Sequence, residues 1–122
     1  MNETKFALHI HTKYSDGNAS HEGLLEIAEK AQLDGIITTD HNIWLSGLDG
    51  YYGEGKKRIM LLVGEEVHDR ALMPAGNHML VIGAQKEMVP YSKNPQRLID
   101  QINRCDGLSF LAHPVEDALE MF

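Results

Sequence analysis

Five short apolar runs, each touching a histidine or an acid at one end, limit what this chain can fold into. They are Phe6 to Thr12, Ile36 to Thr39, Ile59 to Val67, His78 to Ala84 and Leu108 to Ala112. Each is rich in β-branched or large apolar residues and bounded by turn formers, the pattern of a strand. The first run is the most informative. In Leu8-His9-Ile10-His11-Thr12 two histidines stand two residues apart, and a strand sends alternate side chains to one face. His9 and His11 are therefore expected to point together, with Leu8, Ile10 and Thr12 turned the other way. Two imidazoles converging from one rigid strand can grip a metal ion at little ordering cost. A strand with two merely hydrogen-bonded histidines is the plainer alternative. It ranks lower because matching residues recur downstream. Asp16 follows in Ser15-Asp16-Gly17, a turn able to fold a carboxylate back over the pair.

The recurrence lies at the other strand ends. Ile36-Ile37-Thr38-Thr39 stops at Asp40-His41-Asn42, and the run from Ile59 closes on Gly64-Glu65-Glu66. His78 opens a run and His113-Pro114 closes another. Such a series, in a chain with seven histidines, is what a polynuclear metal centre at one rim of a barrel requires. Between the strands, Ser20 is an expected N-cap for a helix whose inner stripe is Leu24, Ile27, Ala28 and Ala31, with Gly35 ending it. Asn94 caps a second helix that has Pro95 at its first position, Leu98, Ile102 and Cys105 on its inner face and Gly107 at its end. Ile43 to Lys57 is rich in glycine and reads as a loop with one short helical turn. Its Gly55-Lys56-Lys57 lacks the spacing of a phosphate-cradling P-loop. Asp69 to Asn77 reads as a loop, and a last helix is expected after Pro114. Alternating strands and helices favour an α/β class with a mostly parallel sheet, flat or closed into a barrel.

Composition narrows the class without naming it. With 122 residues the chain is read as one domain, 1–122, small for a complete barrel. A net charge of −7 argues against nucleic-acid binding by bulk electrostatics. Cys105 is the only cysteine, so no internal disulfide forms and a reducing, cytoplasmic setting is expected. No run has the length of a membrane span, and no membrane partner is expected.

The ordered set of motifs resembles the PHP domain, the polymerase and histidinol phosphatase family of metal-dependent phosphoesterases. The resemblance rests on His-Ile-His-Thr with Ser-Asp-Gly, Thr-Asp-His-Asn, Gly-Glu-Glu-Val, Asn-His-Met-Leu-Val-Ile-Gly and Leu-Ala-His-Pro, in the family's order along nearly the whole chain. It implies a distorted seven-stranded β/α barrel. With about five strands read here, the barrel is expected to be incomplete and the domain truncated at its C-terminus. A late Asp-x-His, usual in the family, does not follow His113. The resemblance implies two or three divalent ions, zinc, manganese or iron. His9 and His11 would bind a first ion, and His78 and His113 a second, with the acid of the Gly-x-Glu motif bridging the two. Asp16 and His41 match ligands of a third. Two glutamates compete for the bridge. Alternation groups Glu66 with Leu62 and Gly64, and the motif spacing also selects Glu66. Glu65 is the fallback, or an acid behind the ligands, and Asp40 is expected to orient a ligand histidine.

The implied chemistry is hydrolysis of a phosphate ester by a metal-activated water, with no side-chain nucleophile. Lys13, Arg70 and Arg104 are candidate phosphate binders, although isolated basic residues are usually surface. Trp44, Tyr51 and Tyr52 could wall a pocket. His21 and His68 fall outside the motifs and are expected to be structural or solvated, His68 despite sharing the Glu66 face by alternation. The expected substrate is a small phosphorylated metabolite or a short nucleic-acid end, and exposed barrel edges predict a homo-oligomer. A non-catalytic metal-binding domain with a structural role is the first alternative. An amidohydrolase-type metal hydrolase, which also begins with His-x-His, is the second.

Overall fold

The computed structural model describes residues 3–72 and 76–114. The expected helix after Pro114 lies outside them. The described residues form a mixed α/β fold with a curled, half-barrel sheet and two helices. The strands are β1 (Phe6–Ile10), β2 (Gly35–His41), β3 (Gly50–Tyr52), β4 (Ile59–Val67), β5 (Met79–Ile82) and β6 (Leu108–Leu111). The helices are α1 (His21–Lys30), between β1 and β2, and α2 (Pro95–Arg104), between β5 and β6. The sheet runs β1-β2-β4-β5-β6, with β3 paired to β4 off this path.

The sheet is mixed, where the alternation of elements suggested mostly parallel strands. β1, β2 and β4 are parallel, but β5 runs antiparallel to β4 and β6 antiparallel to β5. Among the described residues there is no crossover helix between β4 and β5, and the chain returns antiparallel. β3 was hidden in the glycine-rich stretch read as loop. It pairs antiparallel with Ile59 to Leu61, while β5 pairs with Glu65 to Val67.

Both helices begin where the sequence puts them. The Ser20 side chain accepts from Gly23 N–H and the Asn94 side chain from Arg97 N–H, so each first turn gains a partner for an orphan donor. They end differently from expectation. Gln32 and Asp106, not the glycines, take the left-handed conformation. Leu33 N–H then bonds Ala28 C=O and Gly107 N–H bonds Ile102 C=O, the Schellman closure. Gly35 instead begins β2. The inner stripe of α1 is also shifted: Ala28 is buried with Leu24 and Leu25 against it, whereas Ile27 is 57% exposed and Ala31 lies on the surface.

Alternation along β4 divides the molecule. Ile59, Leu61, Val63, Glu65 and Val67 share one face, and all five are buried. α1 packs over the first three, beside Ile36, and α2 packs Leu98 and Ile102 around Val67, Met79, Val81 and Met88. This outer face is the core. Leu62, Gly64 and Glu66 point to the inner, concave face. By register that face also carries Leu8 and Ile37 on one side and Leu80, Ile82, Leu108 and Phe110 on the other. Gly64 is fixed by contact, since a Cβ there would stand 2.5 Å from the Val81 carbonyl oxygen.

Candidate metal centre

Glu66 sits at the C-terminal end of β4, on the inner face, with its side chain 0% exposed. The ends of four segments aim five histidines at it. Oε2 lies 3.1 Å from His9 Nε2, 3.1 Å from His11 Nε2 and 3.4 Å from His41 Nδ1. Oε1 lies 3.1 Å from His113 Nε2 and 3.4 Å from His78 Nδ1. The two oxygens of one carboxylate thus serve two separate groups of imidazoles. Asp16 closes the far side, with Oδ2 3.3 Å from His41 Nε2 and Oδ1 3.6 Å from His11 Nδ1.

His9 and His11 converge, but not by simple alternation. β1 carries a bulge between Leu8 and Ile10: Leu8 pairs with Ile37 and Ile10 with Thr38, so these two face opposite sides. His9 is the extra residue, in the left-handed region at φ 64°. A bulge at a sheet rim re-aims a side chain, and here it turns His9 inward while His11 follows Ile10 past the strand end. The Ser-Asp-Gly turn folds back as expected. Gly17 N–H bonds the Thr12 carbonyl, and a Cβ on Gly17 would stand 2.0 Å from the His11 carbonyl oxygen, so only glycine fits.

The donors fit metal ions. Three groups, His9-His11-Glu66, Glu66-His78-His113 and His11-Asp16-His41, each hold their ligand atoms within 4.8 Å of one another. Donors bound at about 2.1 Å around a tetrahedral ion stand about 3.4 Å apart, which brackets the contacts measured here. Glu66 Oε2, His11 Nδ1, His41 Nδ1 and His78 Nε2 are buried yet have no partner in hydrogen-bond geometry. The 3.1 Å approaches of His9 and His11 to Oε2 are therefore not ordinary hydrogen bonds. The donors converge on common points between them, as ligands around a cation do. A buried polar atom without a partner costs about 1–3 kcal/mol, so several together in one cluster call for a bound charge.

Electrostatics prepare the same state. Burial alone would raise the Glu66 carboxyl, but contact with His9 and the charges of His9, His41 and His11 outweigh it and hold it below the usual range. His11 is lowered, by burial first and then by His41, which favours its neutral, ligating form.

Asp40 does not touch a histidine of the cluster through its hydrogen bonds. Its carboxylate is buried and accepts from Thr12 N–H at 2.7 Å, Thr12 Oγ1 at 2.7 Å and Ser15 Oγ at 2.6 Å. It ties down the loop that carries His11 and Asp16. Glu65 turns away to the outer face, where Oε2 accepts from Met88 N–H at 3.0 Å. Burial first, and then Glu87, push its pKa up to about 7, against the Met88 bond. His21 is buried rather than solvated, within 3.3 Å of Thr38 Oγ1 under α1. Trp44 packs on the outer core and donates to the Val63 carbonyl, and Tyr51 and Tyr52 lie exposed on β3. None of the three aromatics lines the cleft beside the centre.

That cleft has a volume of about 450 Å³ and runs between Tyr14, Asp16, His41, His68, Arg70 and His78. Lys13 is exposed and does not line it. His68 is the residue that sequence reading passed over. Its ring centroid is 4.7 Å from that of His78 and 5.2 Å from that of His41. The signal was present, since His68 alternates with Glu66, but β4 ends at Val67. The Asn42 side chain carries the register one residue further, accepting from His68 N–H at 3.0 Å and donating to His68 C=O at 3.1 Å. A larger hollow of about 590 Å³, lined by Glu26, Lys30, Asp34, Lys57 and Ile59 among others, lies around the start of β4, and none of its lining residues is a histidine.

This combination, a curled α/β sheet with histidines and one shared acid at its strand ends, brings together three groups of side chains that could hold a metal ion. The model of the PHP domain matches residues 7–113, and the chain belongs to that family. It is also similar to an uncharacterised protein of Methanocaldococcus jannaschii, with 27% identity over 122 residues covering 90% of this chain and 67% of that protein. No helix among the described residues is long and apolar enough to cross a membrane.

Proposed function

We propose that the protein is a metal-dependent phosphoric ester hydrolase. His9, His11 and Glu66 hold one divalent ion, Glu66, His78 and His113 a second, and Asp16 with His41 contribute to a third. The observation that carries this reading is the wholly buried Glu66, whose two oxygens face two different groups of histidines. A carboxylate so placed can bind one cation on each oxygen. Divalent ions bound there supply Lewis acidity, activating water and neutralising charge on a phosphoryl oxygen. The chain's own residues do the rest. Glu66 is held toward its ionised form and His11 toward its neutral form, and Asp40 holds the Thr12–Gly17 loop so that Asp16 keeps its place beside His41. The mixed imidazole and carboxylate donors suit zinc, manganese or iron. The substrate class proposed is a small phosphorylated metabolite or a short nucleic-acid end.

Elemental analysis after metal-free gel filtration, paired with p-nitrophenyl phosphate turnover in added manganese, tests this. Two or more ions per chain with turnover that a chelator abolishes is the expected result. Less than one ion per chain would remove the metal reading. Full occupancy without hydrolysis of any phosphate ester would make the domain a structural metal binder instead.

A further inference from the structure

A histidine that binds a metal ion through one ring nitrogen carries its proton on the other, and an acceptor for that N–H fixes the ring. His78 turns Nδ1 to the centre, 3.4 Å from Glu66 Oε1 and 3.2 Å from His113 Nε2. An ion held by Nδ1 leaves the proton on Nε2. That atom is buried, and among the described residues nothing hydrogen-bonds to it. Three imidazoles surround the His78 ring, and that of His68 is the closest, with centroids 4.7 Å apart and planes tilted by 52°. His68 Nδ1 is also buried and also lacks a hydrogen-bond partner. The other two rings have tasks already. His41 sets Nδ1 against Glu66 and Nε2 against Asp16, and His113 shares a ligand group with His78. His68 belongs to none of the three ligand groups, so metal binding by itself leaves its place unexplained. That place is fixed by the backbone. The Asn42 side chain clamps both the N–H and the C=O of His68, and Asn42 N–H bonds the Glu66 carbonyl. Asn42 is buried in the left-handed region at φ 51°, which asparagine tolerates better than most residues. The residue after ligand His41 therefore holds the residue that adjoins ligand His78.

We propose that His68 is a positioning residue for the second ion: its Nδ1 accepts the Nε2–H of His78 and so holds that ring with Nδ1 toward Glu66 and His113. The inference rests on reading the cluster as a metal centre. Metal binding at Nδ1 creates the donor, because it fixes the proton on Nε2. Rings at this separation bring facing nitrogens within hydrogen-bond reach, about 2.7–3.2 Å. The His68 ring also lines the cleft, so its own proton can sit on Nε2 and leave Nδ1 as the acceptor. His68 acts through His78 and binds no ion itself.

Three zinc-loaded proteins with nitrogen-15-labelled histidine test this: wild type, His68→Phe and His68→Asn. Phenylalanine keeps a ring and removes the acceptor, whereas asparagine restores an acceptor oxygen near the place of Nδ1. Imidazole spectra of the wild type should show His78 bound to metal through Nδ1, with an Nε2 proton protected from solvent exchange. In His68→Phe that protection should be lost, and in His68→Asn part of it should return. A chelator titration should show one ion held about 10–100-fold more weakly in His68→Phe, the usual size for losing a group behind a ligand, with a smaller loss in His68→Asn. Melting in excess chelator should be alike in all three, since the bond exists only with the ion in place. His78 bound through Nε2, a proton equally protected in His68→Phe, or unchanged affinity for every ion overturns the proposal. So does a metal-shifted His68 nitrogen, which would make that residue a ligand, or a melting loss in chelator as large as that with metal, which would make it a packing residue. Less than one ion in the wild type removes the metal reading and this inference with it. Full occupancy with no effect of His68→Phe removes this inference alone. The expected spectra and affinities without turnover of any phosphate ester would retire the hydrolase reading and leave the role of His68 standing.

Discussion

Glu65 and Glu66 are neighbours on one strand, both carboxylates and both almost wholly buried, yet they sit in opposite chemical worlds. Glu65 faces the outer core, among Met88 and the apolar side chains packed under α2, with one hydrogen bond, from the Met88 amide. Glu66 faces the concave side, ringed by five imidazoles. Burial raises the first to about 7, while the surrounding histidines hold the second below the normal carboxylate range. Burial alone therefore does not mark a functional acid. The face of the strand decides, because it decides which partners repay desolvation.

The largest test of this contrast is a pair of isosteric substitutions. Glu66→Gln removes the charge that two ion sites share, and bound metal should fall to at most a weak remnant. Activity should drop by more than the roughly 10–100-fold typical of losing a group behind a ligand. Glu65→Gln should leave metal content within error of wild type. Elemental analysis of both proteins settles the matter, and equal losses would mean that the faces of β4 have been exchanged.

The faces were legible in the sequence because period-two alternation over nine residues of β4 leaves one register. The boundaries of that strand, both N-caps and the order of motifs could be read for the same reason: each is a local signal. What could not be read was non-local. The bulge at His9 exists because Ile10 must meet Thr38 on the core side while His9 reaches Glu66, a compromise that no window of β1 contains. The antiparallel turn into β5 goes with the absence, among the described residues, of a crossover helix. His68 reached the centre through Asn42, which lies 26 residues earlier in the chain. Asp40 was expected behind a histidine, but its partners are the loop hydroxyls and amide, set by how far the Ser-Asp-Gly turn folds back.

A second test sharpens the contrast through pH. Glu65 has a folded-state pKa of about 7, above its ordinary 4.5. The folded protein therefore holds a proton that the unfolded chain has released, and stability falls as pH rises from about 4.5 to about 7. The difference corresponds to roughly 3 kcal/mol of stability missing at pH 8 and present at pH 4. Glu65→Gln cannot ionise, so it should melt higher than wild type at pH 8 and close to it near pH 5. Thermal melts at the two values, with chelator present in both, isolate the effect from metal binding. A gap that does not widen with pH would show that Glu65 has found a partner for its charge.

The smallest effect concerns the rest of the concave face. Outer-face side chains are covered by α1 and α2, but the inner bed below Glu66 is open: Leu8 is 53%, Leu108 60% and Phe110 49% exposed. Leu108 and Phe110 lie on β6 and Leu8 on β1, the two ends of the sheet order, so unpaired strand edges flank the apolar surface among the described residues. Open edges and contiguous apolar area both favour association. The chain should therefore self-associate at micromolar concentration, and Phe110→Ser with Leu108→Ser should shift it toward monomer. These positions face water rather than packed neighbours, so the pair should cost the fold little, within about 1 kcal/mol in a denaturant titration. Light scattering across a dilution series reads the first quantity and denaturation the second. A wild-type chain that stays monomeric across the series would mean that the inner bed is covered from within the chain. In that case the two faces of β4 would differ in chemistry but not in packing.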